Sequence, residues 1–162
     1  MSDYGDTIFR MCFLYLRDYQ LAEDATQETF IKAMTSYEKF EHRSSEKTWL
    51  TRIAINCCKN IMRTNWFQII KNNIIESDGN VSDNLINDFI EKNSISNAIL
   101  KLDLGDRKLI ILYYYQELSI KDIAVISATS ENTVNQRLFR ARKRLKKILM
   151  EDGYDYAYQE SD

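Results

Sequence analysis

No proline occurs anywhere in this chain of 162 residues, and there are only four glycines. Those are the two residues that most strongly break or weaken a helix, so almost nothing in the covalent chain stops helices from propagating. The apolar residues, 44% of the total, recur in three- and four-residue steps. That is the period of a helix face and not of a strand. The sequence therefore predicts an all-α fold. Its length suits one ordinary domain or two very small ones, and small helical domains have thin cores that lean on partners.

A first helix is expected over residues 4–17, with Ile8, Met11, Cys12, Tyr15 and Leu16 at core-type steps. After a break near Asp18 to Gln20, a second helix keeps Ala22, Ala25, Thr29, Ala33 and Tyr37 in period, and its opposite face carries Glu23, Asp24, Gln27, Glu28 and Lys32. The segment EHRSSEK, Glu41 to Lys47, has no apolar period and reads as a loop. From it Ser44 or Ser45 can cap a third helix, about Glu46 to Asn65. That helix turns Leu50, Ile53, Ala54, Cys57, Ile61 and Met62 toward a core. From Phe67 the pattern weakens into an asparagine-rich stretch with an SDGNVSDN cluster, read as a linker over residues 67–93 between domains at 1–66 and 94–150.

The second domain opens with Ile95, Ala98, Ile99 and Leu102 and continues through DRKLIILYYYQEL. Ser119 with Asp122 forms a capping-box-like start for a short helix holding Ile120, Ile123 and Ala124. Ser127 to Thr129 make a turn, and Ser130 caps a final helix with Val134, Leu138, Ala141, Leu145 and Ile148 as its buried stripe. Two helices joined by a three-residue turn, the second lined with polar and basic groups, have the layout of a helix-turn-helix.

The formal net charge of −2 argues against coating nucleic acid by bulk attraction, so any DNA contact must be local. The distribution is uneven. Arg137 to Lys147 holds seven basic residues and no acidic one, whereas Glu151 to Asp162 holds five acidic residues and no basic one. This acidic tail reads as a solvated end, the alternative being a cover for the basic helix. Three cysteines without CxxC spacing fit neither a disulfide framework nor a zinc site. Adjacent Cys57 and Cys58 point about 100° apart on a helix, which places at least one in the core. With one histidine, no Gly-rich phosphate loop and no metal-ligand cluster, no catalytic site, cofactor or metal is expected. No signal-peptide pattern and no apolar run of about 20 residues is present, which predicts a cytoplasmic protein without membrane insertion.

Three segments, AEDATQETFIKA (22–33), KTWLTRIAIN (47–56) and LSIKDIAVISATSENTVNQRLFRARKRL (118–145), resemble in order and separation the conserved regions of bacterial sigma-70 family sigma factors of the extracytoplasmic-function group. The resemblance implies a non-enzymatic subunit that directs RNA polymerase to stress- or envelope-responsive promoters. The implied partners are core RNA polymerase (its beta-prime clamp helices and beta flap), promoter DNA and an anti-sigma factor. It implies polymerase binding by Asp24, Gln27, Glu28, Ile31 and Lys32, a patch otherwise readable as a solvated face. Minus-10 recognition and melting fall to His42, Arg43, Ser44, Ser45, Lys47, Trp49, Arg52, Asn56, Lys59, Asn60 and Arg63. A melting surface needs a polar pocket and a stacking ring for an unpaired base, and Trp49 is either that ring or a core anchor. Minus-35 recognition falls to Ser130, Asn132, Thr133, Asn135, Gln136, Arg137 and Arg140, whose amides and guanidiniums suit adenine and guanine edges. The chain departs from the group at Ala128, where glycine is usual in the tight turn, and at Asn135 and Gln136. A stand-alone helix-turn-helix regulator binding an operator as a dimer is the alternative, but it leaves the first two segments without a role.

Overall fold

The computed structural model describes residues 4–72 and 94–153. They fall into two compact units, one before and one after residue 83.

The first unit holds α1 (Gly5–Leu16), α2 (Tyr19–Ser36), a 3-10 turn (Tyr37–Lys39) and α3 (Glu46–Asn72). The first reversal takes two residues. Arg17 adopts a left-handed conformation (φ 59°) that returns its N–H to the Phe13 carbonyl, and the Asp18 carboxylate then accepts the Leu21 N–H at 2.8 Å to start α2. Helix α1 is buried well beyond one stripe, with Met11 to Tyr15 all enclosed, because it packs on both α2 and α3. Helix α2 presents Ala22, Ala25, Thr29 and Ala33 inward, all at 0% exposure. Thr29 satisfies its hydroxyl by donating to the Ala25 carbonyl at 2.6 Å.

Helix α3 differs from the sequence reading in two ways. Its buried face comprises Leu50, Thr51, Ala54, Ile55, Cys57 and Cys58, while Ile53, Ile61 and Met62 are half-buried. The face is rotated because small Thr and Cys side chains pack against neighbouring helices as well as larger ones do. The helix also continues to Asn72 rather than stopping at Asn65, so residues 67–72 are helical and not linker. TNWFQII contains neither proline nor glycine to end it. Residues 73–93 of the expected linker lie outside the described residues, as do residues 154–162 of the acidic tail.

All three cysteines are free and buried. Cys12 of α1 meets Cys58 of α3; that hydrogen bond and burial hold the Cys58 thiol well above the ordinary thiol range. Burial likewise raises Cys57, which faces Thr29.

The second unit contains α4 (Ser94–Lys101), α5 (Leu104–Ile110), a π-helical turn (Ile111–Tyr115), α6 (Ile120–Ser127) and α7 (Glu131–Glu151). Each later helix starts on a side-chain cap. Asp103 accepts from the Asp106 N–H at 2.9 Å, Ser119 from Asp122 at 3.1 Å and Ser130 from Thr133 at 3.1 Å. The π turn, closed by the Gln116 N–H on the Ile111 carbonyl at 3.0 Å, widens the helix. Leu109 to Leu112 are all buried there while Tyr114 turns out. They meet Ile99, Ile123, Val134, Leu138 and Ala141 in the core. Leu149 closes the α7 stripe, with Leu145 and Ile148 only half-buried.

Between α6 and α7 the chain turns on Ala128, at φ 51° and ψ 48°. The Thr129 N–H reaches the Ala124 carbonyl at 3.0 Å and the Ala128 N–H reaches that of Val125 at 3.2 Å. This Schellman arrangement favours glycine, and a Cβ in that conformation costs on the order of 1 kcal/mol.

Ala128→Gly is therefore expected to raise the unfolding free energy of the second unit by about 0.5–1 kcal/mol in urea titration; a lower stability would show that the turn carries no such strain. The raised Cys58 pKa has a pH consequence. Its thiol is protonated in both states below about pH 8.5, but above that the unfolded chain ionises first, so stability is lost as pH rises. Removing both members of the hydrogen-bonded pair, Cys12→Ala with Cys58→Ala, is expected to flatten the fall in stability above pH 8.5 by up to ~1.4 kcal/mol per pH unit, whatever its effect at neutral pH. An unchanged slope would place that dependence elsewhere.

Candidate partner and nucleic-acid interfaces

Because α2 spends its small residues on the core, its larger ones face solvent. Asp24, Gln27, Ile31 and Met34 follow one another along a single face, with Ile31 62% and Met34 66% exposed. Glu28 pairs with Lys32 one turn on, and that hydrogen bond raises the Lys32 pKa. The sequence-expected residues Asp24, Gln27, Glu28, Ile31 and Lys32 thus share one surface. Met34, which sequence reasoning missed, enlarges its apolar part. Its signal was its place three residues after Ile31. Isolated exposed apolar residues are ordinary, but an apolar pair rimmed by charges on one helix face suits a protein partner.

The loop before α3 is organised by aromatic packing. Phe40 is buried and stacks on Trp49, centroids 4.8 Å apart and planes at 28°, while His42 lies 4.5 Å from Phe40 on its other contact. Tyr37 meets Trp49 edge-on at 6.0 Å, and the Tyr37 hydroxyl donates to Glu46 at 2.6 Å, a bond that raises its pKa. His42 sits at φ 51°, exposed beside Arg43. Trp49 is half-buried and fastens the loop to the helix. Ser45 is the cap of α3, its hydroxyl taken by the Thr48 N–H at 3.1 Å and by the Thr48 hydroxyl at 2.9 Å. Ser44 bonds the Ser45 carbonyl at 3.3 Å, Arg43 pairs with Glu41 at 2.7 Å, and Lys47 is half-buried.

Beyond the loop, Arg52, Asn56, Lys59, Asn60 and Arg63 are all exposed and lie within one helix face. Trp66, 62% exposed, extends the same face one turn past Arg63. Sequence reasoning passed over it because it abuts the expected linker. Cations and amides in a row with an aromatic ring suit a nucleic-acid strand, phosphates meeting the cations and a base meeting the ring.

In the second unit the Ser130 and Thr133 hydroxyls pair at 2.8 Å, so the cap absorbs both. Asn132, Asn135, Gln136, Arg137 and Arg140 project from the first three turns of α7, all exposed. The basic run that follows divides by function. Arg144 binds Asp106, a largely buried carboxylate, and Asp103 at 3.4 Å, and the Asp106 contact raises its pKa. Arg142 donates to the Tyr114 hydroxyl at 2.7 Å and lies over the Tyr113 ring at 5.0 Å. Lys143 covers Phe139 at 4.6 Å, and Lys147 reaches Glu151 at 3.9 Å. Among the described residues Arg137 and Arg140 have no ion-pair partner. These are the two basic residues of the run that the sequence reading assigned to the minus-35 element.

Among the described residues no group of three or more His, Cys, Asp or Glu could hold a metal ion, and no helix is long and apolar enough to cross a membrane.

Comparison with known proteins accounts for both units. Residues 1–75 match the family described as Sigma-70 region 2, and residues 92–145 match Sigma-70, region 4. The chain is 32% identical to the ECF RNA polymerase sigma factor SigW of Bacillus subtilis, covering 90% of this chain and 84% of that protein. It is also 32% identical to the RNA polymerase sigma factor YlaC of the same organism, with 89% and 86% covered. The sigma factor RpoE from Bartonella quintana, solved in complex with the anti-sigma factor NepR, superposes with a TM-score of 0.73 at 25% identity, covering 93% of this chain and 96% of that one. CnrH, solved with the cytosolic domain of CnrY, shares the fold at a TM-score of 0.69 and 21% identity, with 93% and 85% covered. With an α2 patch suited to a protein partner, an α3 face suited to a DNA strand and a helix-turn-helix beyond them, the chain belongs to the sigma-70 family, as an extracytoplasmic-function sigma factor.

Proposed function

We propose that this sigma factor divides promoter recognition among its three surfaces while the polymerase performs all bond chemistry. The α2 face of Asp24, Gln27, Glu28, Ile31, Met34 and Lys32 docks on the clamp helices of core RNA polymerase. Carboxylates meet a basic partner there, and the exposed Ile31 and Met34 lose their water contact on docking. The 40–49 loop and the exposed face of α3 take the minus-10 element. His42, Arg43 and Lys47 border the site of the unpaired base, Trp49 holds the loop in shape, and Arg52, Lys59 and Arg63 follow the phosphates. Helix α7 enters the major groove at the minus-35 element, where Asn132, Asn135 and Gln136 meet base edges and Arg137 and Arg140 meet guanine or phosphate. By similarity to the solved relatives, an anti-sigma protein sequesters the factor until a signal releases it. The site of action is the cytoplasm, where polymerase and promoters are.

One observation supports this most: a helix-turn-helix with an exposed polar and basic second helix shares its chain with a separate unit that exposes an apolar, charge-rimmed helix face. A stand-alone operator binder has no use for that face. The near-neutral charge agrees, since DNA affinity supplied by the polymerase needs no basic surface on the subunit.

Reconstituted run-off transcription with bacterial core polymerase and promoter fragments from the source genome is the test. Specific transcripts that require the added protein are expected, and none with active core would refute the reading. Gln27→Ala with Glu28→Lys is expected to weaken core binding on the order of tenfold or more with an unchanged helical circular-dichroism spectrum; wild-type affinity would remove α2 from the interface. Arg137→Ala with Arg140→Ala is expected to lower transcription from promoters that need the upstream element, each lost contact costing about 1–3 kcal/mol, while core binding persists. Undiminished transcription from those promoters would remove the pair from DNA contact.

A further inference from the structure

Helix α7 carries one large aromatic residue away from its core. Phe139 is 56% exposed and stands about 120° around the helix from the middle of the buried stripe of Val134, Leu138, Ala141 and Leu149. Its neighbours on the outward face, three, four and seven residues earlier, are Gln136, Asn135 and Asn132, so the ring adjoins a cluster of amides. Arg140 lies on the other side of Gln136. The Lys143 ammonium, 4.6 Å from the ring centre, holds one face of the ring and leaves the remainder in water. A single exposed phenylalanine signifies little on an ordinary surface. This one is set among side chains that hydrogen-bond base edges.

In a major groove, Asn and Gln pair with the N6 and N7 edge of adenine, and each adenine is opposite a thymine whose C5-methyl is the apolar group of that edge. A phenyl ring against that methyl removes apolar surface from water on both sides. Against a G·C pair the same ring has no methyl to meet, and it drives water from O6 and N4 without replacing the lost hydrogen bonds. The register agrees. Phe139 lies about 4.5 Å further along α7 than Gln136, and bases follow one another at about 3.4 Å, so ring and amide address neighbouring base pairs.

We propose that Phe139 is a specificity-determining contact, its ring packed on the C5-methyl group of a thymine in the minus-35 element beside adenines held by Asn135 and Gln136. This rests on the sigma-factor reading above and narrows it. The upstream element of this factor carries A·T pairs under the middle of α7, and Arg137 and Arg140 are left for guanine or phosphate. Lys143 keeps the ring from swinging away, so the contact is made by a side chain already in place.

The test uses holoenzyme assembled from bacterial core polymerase and the full chain, with a promoter fragment that it transcribes. Transcription of the unmodified fragment reports on the sigma-factor reading separately. Each thymine of the upstream element is then replaced singly by deoxyuridine, which removes the methyl group and keeps the pairing. One replacement is expected to lower holoenzyme affinity about fourfold, the worth of one buried methyl. Phe139→Ala is expected to lower affinity for the unmodified fragment by at least as much and to make that replacement silent. Should the alanine variant fail to fold, as judged by its circular-dichroism spectrum, Phe139→Leu takes its place and is expected to shrink the effect of the replacement. An upstream element without A·T pairs, a scan in which no deoxyuridine matters, or an effect that persists undiminished in the Phe139 variant would each overturn the proposal.

Discussion

The first unit depends on the close approach of α2 to α1 and α3, which is possible because the inward face of α2 is built from Ala22, Ala25, Thr29 and Ala33. None of these fills much space, so the core volume is supplied by α1, with Met11, Phe13 and Leu14, and by Leu50 and Ile55 of α3. An ordinary surface helix buries its large apolar residues and shows its polar ones. Here the large residues Ile31 and Met34 are left outside. The arrangement that packs the unit is therefore also the one that makes α2 available to a partner, and fold and interface cannot be changed independently along this helix.

A comparable economy governs α7. Seven basic residues in eleven positions would repel one another on an isolated helix. Four of the seven are engaged locally, Arg144 by Asp106 and Asp103, Arg142 by tyrosine faces, Lys143 by the Phe139 ring and Lys147 by Glu151. Arg137 and Arg140, which have no ion-pair partner among the described residues, stand in the N-terminal half, next to the amides of Asn132, Asn135 and Gln136. Charge count alone overstates the DNA-facing part of this helix.

Much of this was legible in the chain. Capping chemistry is local, so Ser119, Ser130 and the left-handed Ala128 could be placed from their neighbours, and the exposed face of α3 followed from helical period. The rest depended on tertiary packing. A run such as LIILYYY has more apolar residues than one helical face can bury, and the π turn that accommodates them is a response to the surrounding helices. The rotation of α3 toward Thr51, Ile55 and Cys58 likewise reflects two neighbours rather than one. Arg144 looked like its basic neighbours because Asp106, its partner, is 38 residues away in sequence.

The absence of proline has a consequence in time. Slow folding phases of tens of seconds commonly come from prolyl isomerisation, and this chain has no prolyl bond to isomerise. Its units are helical hairpins closed by turns as short as the Arg17–Asp18 pair, so most contacts are local, and such topologies fold in microseconds to milliseconds. Folding of either unit therefore has no prolyl step to wait for, and its rate is set by how quickly the short turns bring neighbouring helices together.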